Sequence, residues 1–175
     1  MPSAGRDTGT AGPRGSDAAD SAGATACVPN VYRTLSRHAP ALAAMQGLEA
    51  ALDSGGRLAE DEHAVVALEV ARAYCCEYCQ AAFVSECRHR GVDAASIDAV
   101  LAGALPSDTH YRRLVRITRR IMERHGRLGG AEQALLEDSG LELADLLEIV
   151  TIIAAYTLAT YANNLAGTRI DPVFR

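Results

Sequence analysis

Lysine and tryptophan are absent from the 175 residues, and aromatic side chains amount to only 5%. Without lysine there is no Schiff-base amine and no phosphate-loop ammonium, so neither imine chemistry on the chain nor P-loop nucleotide binding is expected. The 17 basic residues are all arginine and face 22 Asp and Glu, for a formal charge of -5. A mildly acidic chain gains little from counterion release, which argues against a binder of nucleic acid or anionic membrane. Residues 1–27 also lack an apolar run: Met1 to Ala26 is dominated by Ala, Gly, Ser, Thr, Pro and Asp. That composition provides no secretory h-region and too little apolar surface to offset the entropy of ordering. A disordered tail over 1–27 and a cytoplasmic location follow as expectations.

Strand-like alternation is missing as well, and the body, residues 28–175, reads as one all-α domain of about seven helices. The pattern predicts helical residues from Asn30 to Leu52 with a kink or break at Pro40, then a turn at Asp53-Ser54-Gly55-Gly56. Ala59 to Ala73 forms the next helix and leads into the cysteine-bearing segment Tyr74 to Arg90, closed by Gly91. Asp93 and Asp108 are predicted to cap helices running to Ala102 and to about His125. A short helix over Ala131 to Asp138 is followed by a long one, Glu142 to Leu165, apolar nearly all round and expected at the centre of the bundle. From Ile149 to Thr168 there is no charged residue, close to a membrane-spanning length, but Thr151, Tyr156, Thr157, Thr160, Tyr161, Asn163 and Asn164 dilute it. A core helix, not a membrane span, is the expectation.

Chemistry concentrates in the cysteines at 27, 75, 76, 79 and 87. In a cytoplasmic chain such a cluster points to redox or metal chemistry more than to structural bridges. Cys76-Glu77-Tyr78-Cys79 is a C-x-x-C, and on a continuous helix its two thiols share a face at disulfide-forming distance. A thiolate needs a helix N-terminus or a cationic neighbour, and Ala73-Tyr74-Cys75 offers no Gly or capping residue that would start a new helix before Cys76. Cys27, Cys75 and Cys87 read as small buried hydrophobes. A zinc set of Cys76, Cys79, Cys87 and His89 fails on geometry, because Cys79 and Cys87 would lie about 12 Å apart along one helix. No metal and no cofactor are expected.

The stretch Glu62 to Cys79, with its C-x-Y-C, resembles the core of the carboxymuconolactone decarboxylase / alkylhydroperoxidase AhpD-like family. Val28-Pro29-Asn30-Val31-Tyr32, Gly91-Val92 and Ala162-Asn163-Asn164-Leu165-Ala166 resemble its flanks. The resemblance implies an AhpD-like helical bundle assembled as a trimer or hexamer. It also implies thiol-dependent reduction of a hydroperoxide, or exchange with a disulfide substrate, restored by an external thiol reductant. Cys79 would attack and Cys76 would resolve the sulfenic acid to a disulfide. The family's relay His and Glu fall at Phe83 and Ala64, so both partners are missing and turnover by that route should be weak. Glu69, two turns before Cys76, is the first candidate to substitute as proton partner, followed by His63 and His89, with Glu62 near the vacant Glu position. A non-catalytic oligomeric module of the same family is the alternative. Lactone decarboxylation fits less well, since no acid and base pair is in view.

One further pattern is the helix bearing Arg112, Arg113, Arg116, Arg119, Arg120 and Arg124, with Arg127 just beyond and an apolar stripe opposite. With the net charge negative, a solvated face, or one paired with the acidic run Glu132 to Glu148, is expected in preference to a nucleic-acid or membrane surface.

Overall fold

The computed structural model describes residues 28–129 and 140–175; the expected tail, Cys27 and the helix predicted over 131–138 lie outside them. The described residues form seven α-helices and no strand. They are α1 (Asn30–Leu35), α2 (Ala39–Gly55), α3 (Glu60–Ala73), α4 (Glu77–His89), α5 (Ala94–Leu101), α6 (Thr109–Arg124) and α7 (Leu143–Ala166), with a 3-10 turn at Pro172–Phe174.

Local chemistry sets most of the boundaries. Pro40 lies in the first turn of α2, where its missing N–H is no loss, so the break falls before it. The Asp93 carboxylate accepts from Ser96 N, and that of Asp108 from His110 N and Tyr111 N, as the sequence predicts. Glu62 reaches back to accept from Ala59 N at 2.6 Å, which caps α3 although Ala59 has no capping side chain.

The centre of the bundle is α3, where the sequence predicts α7. Every residue from Ala64 to Ala71 is buried, because α4, α5, α6 and α7 all pack on this one helix. One side of α7 packs inward through Ile149, Ile152, Ala155, Ala159 and Asn163. Its other side leaves Leu143, Leu147, Val150, Tyr161 and Leu165 exposed, so uniform hydropathy did not translate into uniform burial. By length and composition α7 could cross a membrane, but here it packs against α1, α2, α3, α4 and α6.

Of the acidic run expected to face α6, Glu132, Glu137 and Asp138 lie outside the described residues. Glu142 and Asp145 bind Arg57, at 2.9 and 2.6 Å, and not the arginines of α6. On α6, Arg112 donates to the carbonyls of Pro106 and Ser107, Arg120 pairs with Glu123, and Arg119 reaches into the core.

Candidate active site

The decisive local event is a helix break that the sequence conceals. α3 ends at Ala73, and Cys75 adopts a left-handed conformation with φ +52°. Cys75 N donates to Arg72 O and Cys76 N to Ala71 O, each at 3.0 Å, the bond pattern that ordinarily recruits glycine. The chain then restarts as α4 with Cys76 in the N-cap position. The two motif thiols therefore do not share the face of one continuous helix: Cys76 precedes the first turn, and Cys79 lies within it. Cys75 is exposed, contrary to the buried role expected for it, whereas Cys87 is fully buried in the core beside Val65, Leu68 and Val115. Burial pushes the Cys87 thiol up to about 12, which fits an inert packing residue.

The geometry makes the pair unequal. Cys76 Sγ accepts from Cys79 N at 3.3 Å, as an N-cap side chain does, and so meets the positive end of the α4 dipole. The Cys79 thiol donates to it, and together with the amides of Cys79 and Tyr78 and the Asn163 amide group this outweighs burial and lowers Cys76 to about 7. Cys79 moves upward, first because its proton is shared with Cys76 and then because it is buried. Of the two thiols, Cys76 is therefore the one favoured to ionise, and Cys79 the one favoured to keep its proton.

Two residues outside the motif hold this arrangement. From α7, Asn163 Nδ2 donates to Cys79 Sγ at 3.3 Å, while its buried Oδ1 has no partner. Tyr78 donates its hydroxyl to Asp171 Oδ2 at 2.6 Å, and the same oxygen accepts from Asn30 N at 3.0 Å. Tyr78 also meets the Phe174 ring edge-on, with centroids 6.0 Å apart. The C-x-Y-C tyrosine thereby joins α4 to both ends of the described chain. The sequence places Asn163 only in a flank of the family resemblance and does not mark Asp171 at all, because each acts across more than 80 positions.

Cys79 lines a cavity of about 720 Å³ bounded by α2, α3, α4 and α7; Cys76 does not line it. Phe83 and Ala64, which occupy the two relay positions implied by the family resemblance, line it too. Phe83 packs edge-on against Tyr156 at 4.5 Å, and the Tyr156 hydroxyl lies 2.9 Å from His63 Nε2. Both sulfur-bearing residues are nearly enclosed, with exposures of 1% and 3%.

Glu69 is not brought to the thiols. Its side chain is fully buried, it does not line the cavity, and both oxygens are occupied: Arg72 donates at 2.5 and 3.1 Å and Arg119 at 2.8 and 3.0 Å. The expectation of a proton partner fails because the helix break turns α4 away from the α3 register on which it rested. Of the other candidates, Glu62 caps α3 and contacts His110, and His89 is exposed at the end of α4. His63 alone of these reaches the cavity. Among the described residues no His, Cys, Asp or Glu cluster could hold a metal ion.

Two solved structures share this architecture. An alkylhydroperoxidase AhpD core, an uncharacterized peroxidase-related protein from Ralstonia eutropha JMP134, superposes with a TM-score of 0.75 at 23% identity, over 84% of this chain and 79% of its own. An uncharacterized peroxidase-related protein from Silicibacter sp. TM1040 gives 0.71 at 18% identity, over 85% and 81%. No curated protein matches the sequence. Residues 39–120, which run from the start of α2 into α6 and include both motif cysteines, match the model of the Carboxymuconolactone decarboxylase family. That match spans a little under half of the chain and, with the helical fold shared as well, supports the resemblance to the carboxymuconolactone decarboxylase / AhpD-like family.

Proposed function

We propose that the protein is a thiol oxidoreductase that reduces hydroperoxides, or exchanges with disulfides, through Cys76 and Cys79. The observation that carries this reading is the asymmetry of the pair: an enclosed Cys76 at the N-cap of α4, its sulfur accepting from Cys79 N, beside a Cys79 that lines a cavity. Cys79 passes its proton to Cys76 before it attacks, an uphill transfer given the opposite shifts of the two thiols, which accords with weak turnover in the absence of the relay His and Glu. Cys79 then attacks the outer oxygen of the hydroperoxide; the S–O bond forms as the O–O bond breaks, and the departing alkoxide takes the proton from Cys76. Cys76 attacks Cys79 Sγ, the S–S bond forms, and hydroxide leaves with a proton from solvent as water. Two electrons pass from the dithiol to the peroxide, and an external thiol reductant restores the pair. Asn163 Oδ1, the buried acceptor without a partner, suits the sulfenic O–H of the intermediate. The proposal includes a homo-oligomer, supported by the exposed apolar stripe of α7, and a cytoplasmic location, where dithiols are kept reduced.

The second reading, a non-catalytic oligomeric module, is favoured by Phe83 and Ala64 at the relay positions and by the enclosure of both thiols. Thiol titration of the reduced protein before and after one equivalent of cumene hydroperoxide separates the two. Loss of two thiols, abolished by Cys79→Ser and reduced to a trappable sulfenic acid by Cys76→Ser, supports the enzyme. Unchanged thiols in the parent protein and in a Phe83→His variant support the module.

A further inference from the structure

Resting on the hydroperoxide reading, we infer that the cavity selects uncharged hydroperoxides and excludes those carrying a carboxylate. Its lining holds five carboxylates, Glu49, Asp53, Glu60, Glu86 and Glu148, against one guanidinium, Arg90. Arg90 contacts Glu60 and binds Glu86 at 2.6 Å, so it offsets one charge of that pair and leaves four in excess. Glu49, Asp53 and Glu148 enter none of the ion pairs among the described residues. Glu148 accepts from the backbone amides of Arg57 and Leu58, and both Glu49 oxygens accept from the Tyr32 hydroxyl at 2.8 Å. His63, the remaining group in the lining able to carry positive charge, is held below its ordinary value by burial even though Glu148, Asp53 and Glu86 pull it upward. Glu49, Asp53 and Glu86 also act on Tyr156, which burial and then Glu49 push upward, so their field reaches the Tyr156 side of the lining.

An anion entering this space meets repulsion with no guanidinium or ammonium free to receive it. An uncharged organic group meets Phe83, Tyr156, Leu52 and Met45 instead. Four net charges at about 10 Å, even screened as in water, amount to roughly tenfold in the encounter with a monoanion.

The test compares cumene hydroperoxide with its para-carboxylate, two peroxides that differ in charge far from the O–O bond. Oxidation of the reduced protein is followed by thiol loss at low and high salt, each rate divided by the rate with free dithiothreitol. The expected result is an advantage of about tenfold or more for the uncharged peroxide at low salt, shrinking at high salt and in the Glu49→Gln and Asp53→Asn variants. A carboxylate peroxide that reacts as fast as the uncharged one at low salt overturns the selectivity while leaving the peroxidase reading intact. Inertness toward both peroxides overturns the two together. The salt series on the parent protein keeps the test decisive even if a variant folds poorly.

Discussion

Replacing Glu69 by alanine separates a structural carboxylate from a proton donor, because the two roles predict opposite signatures. The carboxylate is fully enclosed and receives four hydrogen bonds from two guanidiniums. Breaking a buried ion pair by removing one partner costs about 3–5 kcal/mol, since the remaining charge is left without compensation. Here Arg72 and Arg119 keep 27% and 19% exposure, and Arg119 retains the carbonyls of Gly103 and Ala104. Partial hydration of the stranded guanidiniums therefore puts the loss near the lower end, about 3 kcal/mol. For a domain of this size that lowers Tm by about 6–12 °C. Thermal unfolding measures it, and thiol oxidation well below the transition supplies the second readout. Oxidation of the Cys76/Cys79 pair should stay within about twofold of the parent, whereas loss of a proton partner would cost about 10² to 10⁴. A variant as stable as the parent but a hundredfold slower to oxidise would refute the assignment.

Two further outcomes follow from the helix break. Thiolate absorbance of the reduced protein should titrate with a midpoint near 7, disappear in Cys76→Ser, and move upward in Cys79→Ser, where the donor to Cys76 is lost. Because folding lowers this pKa, the stability it contributes is complete above the unfolded thiol's ordinary value and is lost as pH falls through about 7. The reduced parent should therefore gain on Cys76→Ser between about pH 7 and 9, by on the order of 2 kcal/mol in urea unfolding. Cys75→Gly should stabilise the protein by about 0.5–1 kcal/mol, since the left-handed conformation at φ +52° strains any residue with a Cβ. A loss of stability in that variant would contradict the strain.

Where an element announces itself locally, the sequence and the structure agree. The aspartate caps of α5 and α6, the proline at the start of α2 and Gly91 after α4 are local signals, and each marks a boundary. The C-x-x-C and the family resemblance point to the candidate site, where Cys79 lines a cavity. What escaped is long-range or runs against propensity. A cysteine in a glycine conformation hides the α3–α4 break, and with it the N-cap position of Cys76. The same break keeps Glu69 from the site, because its placement beside Cys76 requires two turns of continuous helix and α3 ends at Ala73. Asn163 and Asp171 are unexceptional residues until folding brings them to Cys79 and Tyr78. The centrality of α3 was missed for a related reason: a run of Ala and Val with one glutamate looks less apolar than α7, and the partners of that glutamate come from elsewhere in the chain.

The strain at Cys75 and the acidity of Cys76 have one origin. Only by ending α3 there can the chain present a fresh N-terminus one residue later, and only a fresh N-terminus aims unpaired amides at the Cys76 sulfur. A glycine at 75 would produce the same break more comfortably, so the strain is incidental to the electrostatics, and relieving it should leave the thiolate midpoint where it is. The chemistry then depends on the division of labour that the break creates. In the proposed reaction the enclosed Cys76 is the sulfur favoured to ionise, the cavity-facing Cys79 is the one that attacks, and a proton exchanged between them is what links the two without a histidine. If Cys75→Gly both stabilised the fold and kept the midpoint near 7, the geometry of the restart, and not the identity of the residue before it, would be established as the source of the activated thiol.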